Sequence, residues 1–362
     1  MFLRLSQLRR STLLSFGFLM KIAVSIVLFS LPVRANAKRH FIDQLGRDVV
    51  IADRVDRVVV LQHQTLDILV QLDAAAKIVG VLDQWQSLIP NLDRYAPGLK
   101  TLPLVGSLTS ANIEEILKLK PDVVFVTNYI PRTVIRQLTQ AGLPVVAISL
   151  AKGDENGNNQ MNRTFADDDK AYSAGLREGI TLIGEIVGKE GQAKTLVDYA
   201  FEKRMQVEKR VADITDDQRV RLYMANPDLH TYGSGKYVGV MMKRSGGYNV
   251  ASAVRGATKV SMEQVVAWNP QVIFVQDRYS PVLNEIISRP QWQSVDAVKN
   301  KRVYLTPEYV KPWGFPLPEA LALGELWMAK KLYPKRFADI DMNSEVQAYY
   351  SKFYRHSYDG VN

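Results

Sequence analysis

Cysteine is missing from all 362 residues, and histidine occurs only four times, as His40, His63, His230 and His356. Without cysteine there are no disulfides, so the fold has to be held by its own apolar cores. Nor can a lipid be attached through cysteine at a processing site. So few histidines argue against direct capture of a bare zinc or manganese ion, which calls for several histidines and carboxylates in one place. Long apolar runs are also lacking. The longest, Ile22 to Leu31, is half the roughly twenty residues a bilayer span requires. No Ser-His-Asp or cysteine-nucleophile arrangement presents itself. Gly233-Ser234-Gly235-Lys236 hints at a phosphate loop, but its leading spacing is wrong and Tyr237 stands where serine or threonine is needed. These absences point away from an enzyme and from a bound cofactor.

What is present begins with an export signal. Arg4, Arg9, Arg10 and Lys21 precede the apolar run, and Ala35-Asn36-Ala37 fits a small-residue cleavage site, so residues 1–37 read as a signal peptide. Translation from Met20 would leave a shorter signal with the same logic. Removing 37 residues leaves 325, enough for two ordinary domains. The signal carries five basic residues and no acidic ones, so the net charge falls from +9 to +4. That excess is too mild for a nucleic-acid-binding surface and suits an anionic small ligand. The expected place is the periplasm, as a monomer.

One block of sequence occurs twice, 149 residues apart. Asn112-Ile113-Glu114 opens a helical stretch stopped by Pro121, and the apolar strand Val123 to Val126 follows. Ser261-Met262-Glu263 opens the second copy, stopped by Pro270, with Val272 to Val275 after it. Asn112 and Ser261 are helix N-cap residues, and a proline cannot continue a helix. Two copies predict two lobes of one design, each presenting a glutamate at a helix start, with a cleft between them.

The rest of the chain supports that reading. In the first lobe, residues 38–165, short strands at Arg57–Leu61, Lys77–Val81 and Pro144–Ile148 alternate with helical stretches, the pattern of a parallel sheet covered by helices. Residues 166–215 form an interlobe helical segment. Its stretch from Gly191 to Val211, with Ala193, Leu196, Val197, Ala200, Val207 and Val211 on one face, is long enough to act as a spine. The second lobe, 216–362, restarts with a strand from Val220 and ends in helices. The expected fold is α/β: two Rossmann-like lobes with parallel sheets, joined by one long backbone helix.

These pieces resemble a known family, the periplasmic binding proteins for iron complexes and vitamin B12, of the helical-backbone metal-receptor type. The likeness rests on Asp43-x-Leu45-Gly46-Arg47, Arg57-Val58-Val59, Ile78-Val79-Gly80-Val81, the repeated block and Gly246-Gly247-x-Asn249, and it extends over most of the mature chain. It implies a substrate-binding protein of an ABC importer whose lobes close only slightly on their ligand. It also implies that Glu114 and Glu263 dock into arginine pockets of the inner-membrane permease, one per lobe.

Ligands of such sheets lie beyond the carboxyl ends of the strands. In the first lobe that rule nominates His63, Gln64, Trp85, Tyr129 and Arg132. In the second it nominates His230, Tyr232, Lys236, Arg278, Tyr279, Tyr309 and Trp313, with Lys311 and Phe315 on the same loop. Aromatics mixed with cations suit a bulky, negatively charged metal chelate. The expected cargo is a ferric siderophore, with cobalamin, haem or a nickel chelate as alternatives. His63 and His230, each after the first strand of its lobe, are the candidates to reach a chelated metal. Readings of another class are a ligand sensor signalling to a membrane partner and a chelate-modifying enzyme.

Overall fold

The computed structural model describes residues 37–153, 161–162 and 165–360. The expected signal segment, up to Asn36, lies outside the described residues. Two four-stranded sheets, all parallel, form the centres of two lobes. In the first, the spatial order is Ile78–Val81, Val58–Val60, Val123–Thr127, Val145–Ile148. In the second it is Gly247–Asn249, Val220–Ala225, Val272–Val275, Val303–Leu305. Numbered by their appearance within each sheet, the strands of both read second, first, third, fourth. The sequence repeat is thus a topological repeat, and its strand is the third in each lobe. The two third strands, Val123–Thr127 and Val272–Val275, are fully buried and, apart from Thr127, consist of valine, isoleucine and phenylalanine, because helices cover both faces of a parallel sheet.

The helices of the two repeats, Ile113–Leu119 and Met262–Trp268, are built alike down to their caps. Asn112 Oδ1 accepts from the amide of Glu115, and Ser261 Oγ accepts from the amide of Gln264. The Ser261 amide in return donates to the side-chain oxygen of Gln264, which completes a capping box. Each helix ends on a non-glycine residue in the left-handed region, Lys120 at φ 46° and Asn269 at φ 41°, immediately before the proline. An arginine from the first strand of each lobe then closes the helix end: Arg57 donates to the Leu119 carbonyl and Arg221 to that of Asn269. Both ends of both helices are therefore fixed.

Two antiparallel helices, Asp168–Val187 and Glu190–Val211, connect the lobes. Both touch both lobes. Near the start of the first helix, Tyr172 donates to the Gly235 carbonyl and Asp168 accepts from the Gly235 amide, while farther along Gly175 accepts from Gln44. The second begins beside Asp73, which Lys189 reaches at 3.2 Å, and ends with Val211 against Gly246. Its buried Arg204 pairs with Glu325, which also accepts from Tyr237. The C-terminal helix Met342–Phe353 returns to the first lobe, where Tyr349 donates to Gln71 and Tyr354 to Asp67. One apolar core runs continuously from the first sheet through these helices to one face of the second sheet. Among the described residues no helix is long and apolar enough to cross a membrane.

Candidate functional site

In each sheet the strand order reverses between the first and third strands, and the crevice at their carboxyl ends is where such sheets bind ligands. In the first lobe the chain leaves strand Val58–Val60 through Leu61 and Gln62 and enters the helix His63–Gln71. Gln62 donates to the Ile148 carbonyl at 3.1 Å and accepts from the Thr65 hydroxyl at 2.5 Å, so the first turn of this helix is rigid. His63 is its first residue, only 7 % exposed, and its Nδ1 has no hydrogen-bond partner among the described residues. Burial, with the charges of Arg278 and Lys311, pushes its pKa down to about 3, so the imidazole is neutral at any ordinary pH.

The corresponding crevice of the second lobe supplies a cation held from behind. Gln276, fully buried at the end of strand Val272–Val275, accepts from Arg278 Nε at 2.9 Å and Nη2 at 2.7 Å. Its own amide donates to Asn226 Oδ1 at 2.7 Å and to the Tyr232 hydroxyl at 3.3 Å. The guanidinium of Arg278 lies 5.0 Å from the Trp313 ring centre and 5.4 Å from that of Tyr279. Trp313, 3 % exposed, sits with its ring centre 5.5 Å from that of His63, and its Nε1 has no partner among the described residues. His63, Trp313 and Arg278 therefore converge from both lobes on one place. Asp277 beside them is half-buried, and desolvation pushes its carboxyl pKa up, against the opposing charges of Arg278 and Lys311.

The lobes are tied together around this place. Arg278 Nη1 reaches the Leu88 carbonyl at 3.4 Å, and Asn91 donates to Glu308 at 2.9 Å. Beneath it, Lys311 contacts Asp67 and Glu319, each at 2.5 Å, with Tyr354 and Gln71 completing the network. Burial opposes the charge of Lys311, but Asp67 and Glu319 outweigh it and raise its pKa. Burial pushes Glu319 up to about 8, because two carboxylates share one ammonium. Lys311 is consequently not a cation open to the cleft, as its loop position had suggested. It is the centre of a lobe-to-lobe ion cluster.

The other nominated residues are scattered. Trp85, 2 % exposed, and Tyr309 belong to the hydrophobic core, where they cannot form an open aromatic wall. Gln64 is buried one position after His63. Tyr129 is half-buried, with its ring 6.1 Å from Phe315 and stacked on it. Lys236 is buried near the same Phe315 and donates to the Met161 carbonyl at 2.7 Å; burial brings its pKa down to about 8. Arg132 and His230 are exposed, and His230 Nδ1 lies 3.1 Å from the Pro227 carbonyl. Among the described residues no hydrogen bond or ring contact joins His63 to His230. Gln276, the residue that aims Arg278, was not anticipated, although its place at the end of the third strand was a signal that could have found it.

Glu114 and Glu263 stand exposed on the first turns of the two repeat helices. The Glu263 backbone amide and Ser261 lower the Glu263 pKa and favour its ionised form.

A family model described as periplasmic binding protein matches residues 58–310. The molybdate-binding protein MolA of Haemophilus influenzae is 52 % identical over 342 residues, covering 94 % of this chain and 97 % of its own. The structure of MolA bound to molybdate superimposes with a TM-score of 0.87 over 89 % of this chain and all of that one. The structure of CeuE of Helicobacter pylori with nickel and histidine, 17 % identical, covers 89 % of this chain and 97 % of its own with a TM-score of 0.71 and shares the fold.

Proposed function

The chain belongs to the periplasmic binding protein family, and from that premise we propose that it is the receptor of an ABC importer for a tetrahedral oxyanion of the molybdate class. The observation that carries this reading is the convergence of His63, Trp313 and Arg278, two neutral donors and one cation, from the two lobes, with His63 and Trp313 buried and Arg278 half-buried. The 52 % identity to a molybdate-binding protein supports the same ligand. So does scale. A siderophore or macrocycle needs several hundred Å³ and a broad wall. Here Trp85, Tyr309, Trp313 and Phe315 are buried, and Arg278 and Asn91 already join the lobes. A compact anion needs only a few preset donors.

On this reading a dianion replaces its water shell with charge-assisted hydrogen bonds from Arg278, whose Nη1 is not held by Gln276 and trades its 3.4 Å bond to the Leu88 carbonyl for the ligand. Trp313 Nε1–H donates a second bond. His63 donates from Nδ1 when the proton sits there, and burial holds the ligand-free imidazole neutral. The start of helix His63–Gln71 adds the positive end of its dipole. No step is chemical, so the protein acts as a receptor and not as an enzyme. Glu114 and Glu263 then present one carboxylate per lobe to cationic pockets of the permease, a two-point latch that fits only when both lobes are correctly placed.

The test is a titration of the mature protein, followed by tryptophan fluorescence, with molybdate, tungstate, sulfate, phosphate, ferric siderophores, haem, cobalamin and nickel–histidine. Submicromolar binding of molybdate and tungstate is expected. Silence toward all four oxyanions with a response to a ferric siderophore would replace this reading with the chelate receptor expected from the sequence.

A further inference from the structure

Among the described residues nine large apolar side chains stand exposed, and two of them occupy the same position of the two repeats. Leu117 is 42 % exposed and Val266 is 40 % exposed, 149 residues apart. Neither is needed to seat its helix, since Ile116 and Val265, one residue earlier, are fully buried and do that. Each follows its glutamate by three residues, so Glu114 with Leu117, and Glu263 with Val266, are neighbours on one helix face. A single exposed leucine is ordinary. The same carboxylate and aliphatic pair on both lobe tips, on helices fixed at both ends, is a repeated surface.

We propose that Leu117 and Val266 are apolar anchors of the permease contact, each filling a hydrophobic hollow beside the cation that receives its glutamate. The proposal rests on the docking reading and names the part of the contact that salt cannot screen. Charge selects the occupant: a second copy of this chain would oppose carboxylate to carboxylate, and an anionic lipid surface would repel both tips. A protein that offers the same cationic and apolar pocket twice fits both patches at once. An exposed ion pair alone contributes little, whereas apolar neighbours that exclude water strengthen it and supply affinity of their own.

The experiment measures binding of the mature protein to the cognate permease–ATPase complex in lipid nanodiscs over a series of sodium chloride concentrations. The double variant Leu117→Asn/Val266→Asn is expected to bind at least tenfold more weakly at every salt concentration, with the salt dependence unchanged. Glu114→Gln/Glu263→Gln is expected to weaken binding mainly at low salt and to flatten the salt dependence. Circular dichroism melting curves confirm that the variants are folded. Wild-type affinity in the apolar variant, with the charge variant impaired, overturns the anchor proposal alone. Wild-type affinity in both variants overturns the docking reading with it. Self-association of the wild-type protein that disappears in the apolar variant assigns the patches to a second copy and also overturns the proposal.

Discussion

At the scale of single residues, the site depends on side chains held from behind. Gln276 uses one oxygen to fix two nitrogens of Arg278, whose guanidinium lies 5.0 Å from the Trp313 ring centre. Replacing Arg278 by glutamine is expected to weaken molybdate binding about a hundredfold, the roughly 2–3 kcal/mol of hydrogen bonds made by a charged donor. Trp313→Phe, which removes only the Nε1–H, should cost about 1 kcal/mol. Calorimetric titration measures both. Two buried groups give opposite pH dependences of stability. His63 stays neutral in the folded protein down to about pH 3, while in the unfolded chain it takes up a proton near 6.5. Its contribution is therefore complete above pH 6.5 and is lost as the pH falls below it. Glu319, raised to about 8 by burial beside Asp67, binds its proton more tightly when folded, so its contribution is complete below about 4.5 and is lost as the pH rises through 8. Urea unfolding between pH 5 and 8 should thus show an alkaline decline that Glu319→Gln removes. The position of His63 at the start of a helix was legible in the sequence from its place after the strand Val58–Val60. The ion cluster was not, because Asp67, Lys311 and Glu319 are far apart in the chain and only the closed fold makes them neighbours.

At the scale of elements, the repeated block was the clearest part of the sequence, because cap, apolar stretch, proline and strand are local signals. The predicted helix and strand appear in both lobes within a residue of their expected ends. Arg57 and Arg221, which close those helices from the neighbouring strand, carry no local signal, and neither does the antiparallel hairpin of Lys38–Ile42 with Asp48–Ala52. The helix that runs to Leu332 is continuous, but its stretch Ala320–Gly324 is wound as a π-helix. That register is set by packing, since a Cβ on Gly324 would lie 2.4 Å from the Val310 carbonyl oxygen. The interlobe helix Asp168–Val187 crosses the first lobe at Gly175, where an added Cβ would lie 2.2 Å from the Ala151 backbone. Gly175→Val should destabilise the protein by about 3 kcal/mol or more, since backbone on both sides leaves nothing flexible to yield. Thermal unfolding checks this; an unchanged midpoint would mean that the helix can slide away from the sheet.

At the scale of the whole molecule, one core and several polar ties join the lobes, which fits a receptor that closes by a small movement around a largely preformed site. The two-lobed architecture followed from the sequence because the repeat shows it twice. The ligand did not, because aromatics placed near strand ends look alike whether they line a cleft or fill a core. Trp85 and Tyr309 fill the core. The central claim is that an oxyanion sits among His63, Trp313 and Arg278. Anomalous diffraction at the molybdenum edge, from crystals of the mature protein grown with molybdate, tests it directly. The account predicts one strong peak within hydrogen-bonding reach of those three side chains. A peak elsewhere, or none at full saturation, would contradict it.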